Sequence, residues 1–266
     1  AAPLVSDELW ALIAPLIPPE RPKPKGGRPP IEGRAALTGI LFVLKSGIPW
    51  EMLPAEMGCG SGMTCWRRLR DWQQAGIWER LHHVLLDRLG HANAIDWSRA
   101  ALDSAAAGEK GGEETGPNPT DRGKSGTKRH ILTDAGGISL ALTLSPANVH
   151  DSQRFERVID AVPATRQCTG RPRRRPGKLY ADKAYDFSFC RQACRRRGIL
   201  PRIARRGIES SQRLGRHRWV VERTLARFAR YRRLTIRCER RADIHLAFHH
   251  LAASLICLNF VRRWFC

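Results

Sequence analysis

The sequence predicts an α/β fold, a mixed sheet with flanking helices, preceded by a small all-α domain of helix-turn-helix type. Three observations carry this expectation. Apolar residues recur at helical spacing from residue 6 to about residue 92, and the spacing shortens to that of strands after about residue 94. The later part then runs strand, hairpin, helix, strand, helix, strand, helix, an order that suits a mixed sheet. A chain of 266 residues is long enough for two modest domains, and the expected division is 1–92 and 93–266.

The helices come first. SDELWALIAPLI (6–17) has helical spacing, with Ser6 placed to accept from the first free N–H groups. A Pro/Gly linker, RPKPKGGRPP (21–30), leads into an apolar-striped helix over 31–47 that Gly47 closes. After the turn PWEMLPAEMGCG, the stretch 61–76 predicts a helix capped by Ser61, with Met63, Trp66 and Leu69 inward, and 77–89 predicts another. The second part opens with a short strand over 98–104. A hairpin over 127–145 turns at Asp134–Gly137, and a helix over 150–162 has Asp151 as its cap. Strands are expected over 176–182 and 199–203, and helices over 187–198, 216–231 and 241–263. The last is apolar, but Asp243, His245, His249 and His250 interrupt it, which favours a buried helix over a membrane span.

Composition narrows the function. The chain carries 46 Lys+Arg against 25 Asp+Glu, a formal charge of +21, which points to a polyanionic partner and away from a near-neutral small-molecule enzyme. Residues 1–92 hold 11 basic and 9 acidic side chains, whereas residues 166–241 hold 25 and 5. Interleaved Leu179, Tyr180, Tyr185, Trp219, Val221 and Phe228 make that basic quarter a folded segment rather than a solvated tail. The eight cysteines include no C-x-x-C pair, so a structural zinc site is disfavoured, and free thiols in a reducing cytosol are expected. The pair Cys190 and Cys194 reads as core packing, and His150 as a loop or capping residue.

Three acids stand out against this background. Glu222 is the one carboxylate in RHRWVVERTLARFARYRRL (216–234), beside the stripe of Val221, Leu225 and Phe228 and one turn after Arg218. Asp103 is expected at the end of the first strand, and Asp182 at the end of KLYAD. Each has a plainer reading: Glu222 in a surface ion pair with Arg218, Asp103 in a turn, Asp182 as a helix cap. Together they form a set of hard oxygen ligands of the kind Mg²⁺ takes, on strand ends where α/β sheets open a crevice. Two such ions can activate a water or hydroxyl on one side of a phosphodiester and stabilise the leaving oxygen on the other.

The chain resembles the bacterial insertion-sequence transposases of the DDE type, of the insertion sequence five family, along nearly its whole length. The resemblance rests on SDELWALIAPLIPP, GGRPP, PWEMLP, CWRRLRDWQQAGIWERL, ALDSAAAGEKGG, GPNPTDRGKSGTKRHILTDAGG, ADKAYD and RWVVERTLARFARYRRLTIRCER. It implies a ribonuclease-H-like catalytic domain, with Asp103, Asp182 and Glu222 as catalytic and metal-binding residues. It further implies cleavage at inverted terminal repeats and insertion into target DNA. Around the glutamate, Arg218 fits the wider superfamily's pattern, whereas Gly215 stands at its tyrosine position and Ala229, followed by Arg230, at its lysine position.

The expected cofactor is Mg²⁺, two ions, with Mn²⁺ able to substitute. The expected partner is double-stranded DNA, bound by a cytoplasmic, nucleoid-associated homodimer. Expected DNA contacts are Arg67, Arg68 and Arg70 on the helix over 61–74, Arg28 in the KGGRPP arm, and Arg218 and Arg230 beside the acids. Lys124, Lys128 and Arg129 are expected to bind phosphates from, or just beyond, a mobile loop over 104–127. Two rival functions share these features: a stand-alone Mg²⁺ nuclease that cuts without joining, and a non-catalytic DNA-binding descendant, which would have lost one of the acids.

Overall fold

The computed structural model describes residues 3–19, 30–109, 111–208 and 211–265, apart from the side chains of 211–216 and 265. The expected helices form. Ser6 accepts from the Leu9 N–H at 3.2 Å and starts α1 (Asp7–Ile13), which tightens into a 3₁₀ turn over Ala14–Leu16. Helix α2 (Gly33–Ser46) ends at Gly47, whose φ of 76° is the left-handed conformation that glycine adopts without a Cβ clash. Helix α3 (Gly62–Gln74) is capped by Ser61, and a left-handed Gly76 turns the chain into α4 (Ile77–His91). Gly62 is required by space, because a Cβ there would stand 1.7 Å from the Trp50 carbonyl oxygen.

In α3 the buried face is Cys65, Leu69 and Trp72, set by spacings of four and three residues. The expected inward Met63 is instead 52% exposed, and Trp66 is only half-buried. The expectation placed the apolar stripe about a quarter-turn away from its true position, because Cys65 was not counted as a hydrophobe.

The sheet is built on β1 (Ala100–Glu109), β3 (Ser125–Asp134) and β4 (Ser139–Pro146), successive antiparallel neighbours, with β5 (Lys178–Ala181) and β6 (Leu200–Ile203) parallel to β1 on its other side. The spatial order β4-β3-β1-β5-β6, antiparallel and then parallel, is ribonuclease-H-like. Two short strands, β2 (Gly116–Pro117) and β7 (Ile236–Arg237), extend it along β3 and β1. Helices α5 (Phe155–Asp160) and α6 (Ser188–Arg196) connect the strands, and Cys190 and Cys194 are buried in the core as expected.

The loop expected over 104–127 is largely ordered as sheet. Ser104 to Gly108 pair with His130 to Gly126 in unbroken antiparallel register. The run Ala105–Gly108 carries no bulky residue and so gave no period-2 signal, yet cross-strand hydrogen bonds hold it without one.

Helix α7 (Ser211–Ala229) buries Val220, Val221, Thr224 and Phe228, and docks on the β3–β4 turn, where Thr224 and Arg223 donate to the carbonyls of Gly137 and Gly136, each at 2.8 Å. After α8 (Arg232–Thr235) comes α9 (Ala242–Phe265), whose 23-residue apolar stretch has a mean hydropathy of 1.6 and is 72% buried inside the fold. One continuous core joins residues of α1–α4 to α9 and the sheet. Trp50 stacks on Phe248 of α9 with ring centres 5.9 Å apart, and Arg262 reaches back to Glu8 and Ser6 in α1 and its cap at 2.8 and 2.9 Å.

Candidate active site and nucleic-acid interface

Asp103 stands inside β1, opposite Ile131, rather than at a strand end. What ends there is the pairing on the other side: β5 meets β1 only at Ala100 and Ala101. Beyond Ala101 the sheet therefore has a gap between β1 and β5. Asp182 is the first residue after β5, and its carboxylate accepts from the Ala184 N–H at 3.0 Å, capping a 3₁₀ turn over Lys183–Tyr185. The capping alternative is thus realised, at this short turn rather than at α6, and Asp182 remains at the gap.

Glu222 arrives from α7. One turn before it, Arg218 donates to Asp103 Oδ2 at 3.2 Å and lies 3.9 Å from Glu222 Oε1, so one guanidinium reaches two of the three acids. The Arg218 and Asp103 side chains are 19% and 18% exposed, against 58% for Glu222. Burial raises the proton affinity of Asp103, and the charge of Asp182 adds to this. Arg218 and the Ser104 N–H, which donates to Asp103 Oδ1 at 2.8 Å, oppose it, and the net shift is upward.

Two residues beside these acids lay outside the expected set. Asp151 accepts from Ser104 Oγ and from Lys128 Nζ, each at 3.0 Å, while His150, not Asp151, caps the short helix that follows. Tyr185 is buried against Phe155, with ring centres 5.5 Å apart, and its hydroxyl has no hydrogen-bond partner. Neither produces a periodicity or spacing signal. Both come to the gap through tertiary folding.

Among the described residues, no three carboxylate, histidine or cysteine side chains stand close enough together to hold a metal ion as they are placed. Arg218 stands between Asp103 and Glu222, where positive charge is needed to bring them together. The donor set nevertheless fits a hard divalent cation. Its groups are carboxylate oxygens, Asp103 is raised in proton affinity by crowding and burial, and the unpartnered Tyr185 hydroxyl lies beside them.

The expected DNA contacts divide. Arg67 is exposed on α3. Arg68 is half-buried and donates to the Ile31 carbonyl at 3.3 Å, and Arg70 lies over the Trp66 ring at 5.4 Å and pairs with Asp71. Lys124 and Arg230 face solvent. Lys128 is held by Asp151 with its side chain 16% exposed, so it is part of the acidic site rather than a free surface cation. Arg129 corrects the expectation: it is buried, donates to the Leu234 carbonyl at 3.1 Å, and ties β3 to α8. Arg28 lies outside the described residues. An exposed pair that was not expected, Trp219 with the Arg223 guanidinium 4.5 Å above its ring, sits on α7 beside Glu222.

Fold and site define a DDE-type enzyme of DNA rearrangement, and the comparisons agree. The family model described as "Transposase DDE domain" matches residues 91–260, and one described as "Putative transposase of IS4/5 family" matches residues 5–82. The chain belongs to the DDE transposase family. Among curated proteins it is similar to "Putative transposase for insertion sequence element IS402" of Burkholderia cepacia, 52% identical over 153 residues, which are 58% of this chain and 72% of that one. It is also similar to "Insertion element IS402 uncharacterized 16.2 kDa protein" of the same organism, 59% identical over 122 residues, 45% of this chain and 83% of that one. The Mos1 transposase paired-end complex with left transposon end aligns over 92% of this chain and 82% of that one, at 11% identity and a TM-score of 0.26, too slight a likeness to carry an argument.

Proposed function

We propose that this transposase works by divalent-metal-dependent phosphoryl transfer, cutting DNA at transposon ends and joining the freed ends to target DNA. Asp103, Asp182 and Glu222 would hold the metal ions, Mg²⁺ with Mn²⁺ able to substitute. The observation that carries the reading is Arg218, which reaches Asp103 in β1 and Glu222 in α7 from one position next to the gap at Asp182. Bound cations would supply the charge that activates the attacking oxygen and stabilises the leaving one. The chain's own groups do the rest. The three acids fix the reacting phosphate's position, and Arg218, released from Asp103, is placed to hold a phosphate oxygen. No protein nucleophile is needed, because water attacks first and the 3′-hydroxyl it releases attacks next.

Residues 1–92 would recognise the transposon ends, with Arg67 as the exposed cation of α3 and Arg68 and Arg70 beside it. Lys124 and Arg230 would add phosphate contacts. Joining two ends calls for a homodimer, acting on DNA in the bacterial cytoplasm. The test uses labelled end DNA with Mg²⁺, Mn²⁺ or EDTA, and a precut end with target plasmid. Metal-dependent cleavage and joining, both lost in Asp182→Asn and Glu222→Gln, are the expected result. Cleavage without joining would make the protein a nuclease, and activity in EDTA would refute the metal-dependent reading.

A further inference from the structure

Tyr185 poses a physical problem that the proposed chemistry resolves. It is 1% exposed, and its hydroxyl has no partner among the described residues. Burying a hydroxyl unpaired costs about 1–3 kcal/mol in proteins, and phenylalanine would fill the same volume without that cost. The hydroxyl also lies in the field of three carboxylates: after burial, Asp151, Asp103 and Asp182 raise its proton affinity, in that order, so it stays a neutral donor. Backbone geometry fixes its place. The turn that Asp182 caps brings the Tyr185 N–H to the Asp182 carbonyl at 3.1 Å, and the ring is seated on Phe155.

The acids around it are themselves held in place. Ser104 donates its N–H to Asp103 and its hydroxyl to Asp151, so one residue ties two of the carboxylates, and Lys128 anchors Asp151 from behind. Asp151 thus has fixed partners, as does the backbone around Tyr185, and only the phenol oxygen lacks one. A small hard cation such as Mg²⁺ keeps several of its waters when bound through one or two carboxylates, and those waters need hydrogen-bonding groups around them.

We propose that Tyr185 is a positioning residue whose hydroxyl grips the hydration shell of a divalent cation seated among Asp103, Asp182 and Asp151, with Asp151 forming the far wall of that seat. This rests on the metal-dependent reading above and adds two residues to it. Phenylalanine at this position would keep the packing and lose the grip.

The test is Mn²⁺ titration of the full chain without DNA, followed by electron paramagnetic resonance, on wild type, Tyr185→Phe and Asp103→Asn, with melting temperatures and end cleavage measured alongside. Removing a hydrogen-bonding group from around a metal costs about 10–100-fold in affinity or activity. Tyr185→Phe is therefore expected to bind Mn²⁺ at least about tenfold more weakly and cleave correspondingly more slowly, with a melting temperature equal to or above wild type. Unchanged Mn²⁺ affinity in Tyr185→Phe, with Asp103→Asn impaired, overturns the inference and leaves the metal reading standing. Unchanged affinity in both variants overturns the two together. A melting temperature below wild type in Tyr185→Phe would mean that the hydroxyl serves the fold, and also overturns the inference.

Discussion

The Arg218 guanidinium and the Asp103 carboxylate meet at 3.2 Å, joining α7 to the central strand with both side chains about four-fifths covered. Removing the arginine leaves a carboxylate in a site that already raises its proton affinity. Arg218→Ala is expected to lose about 1–3 kcal/mol of stability at pH 7, the cost of an unpaired buried polar group. The loss should shrink below about pH 4, where Asp103 carries its proton in both proteins. Urea denaturation at the two pH values measures it, and a loss independent of pH would place Arg218's contribution elsewhere.

Asp103→Asn separates chemistry from folding. Because the folded-state proton affinity of Asp103 is raised, its carboxyl favours folding when protonated, at pH below the usual carboxylate range. That contribution disappears as pH rises through the raised value. The asparagine variant should then be at least as stable as wild type at pH 7, with the difference fading below about pH 4. Cleavage should fall at least about a thousandfold while end-DNA binding persists. Thermal melts across pH, paired with a cleavage and mobility-shift assay, decide it.

DNA binding should weaken with salt, log affinity against log salt having a slope near −0.9 for each phosphate neutralised. Arg67→Ala, on the exposed face of α3, is expected to reduce that slope by about one without changing stability. Arg129→Ala should do the reverse, because Arg129 is buried and bonded to Leu234. Binding isotherms at several salt concentrations, with melting curves, distinguish the two.

A buried pair elsewhere sets the scale for structural charges. Arg237 and Glu109 lie 3.3 Å apart with both side chains fully covered, and Arg237 also donates to Thr127 Oγ1 at 2.6 Å. Glu109→Ala should cost about 3–5 kcal/mol, since it leaves a guanidinium buried without its counter-charge. Replacing both residues with apolar ones of similar volume should recover most of it. Denaturant titrations of the single and double variants test this.

Helices and sheet strands with a strong period were legible in the sequence: Ser6, Gly47 and Ser61 stand at the helix boundaries expected of them, and the hairpin turns at Asp134–Gly137. The second half of β1 was not legible, since alanine and glycine carry no hydrophobic alternation and strand pairing there depends on β3. Asp103, Asp182 and Glu222 could be singled out because acids are scarce in a basic chain. Asp151 and Tyr185 could not, because what distinguishes them is a neighbour more than thirty residues away, Ser104 for Asp151 and Phe155 or Asp103 for Tyr185. Arg129 illustrates the opposite error: composition makes every arginine a DNA contact until burial shows which ones are structural.

Helix α9 lies under both the reading helices and the strands, with Trp50 stacked on Phe248 and Arg262 clasping the start of α1. The two halves therefore have no hinge between them and should melt as one cooperative unit in calorimetry. A truncation that discards the first 92 residues would bare a long greasy rod to water and yield inclusion bodies rather than an isolated catalytic fragment.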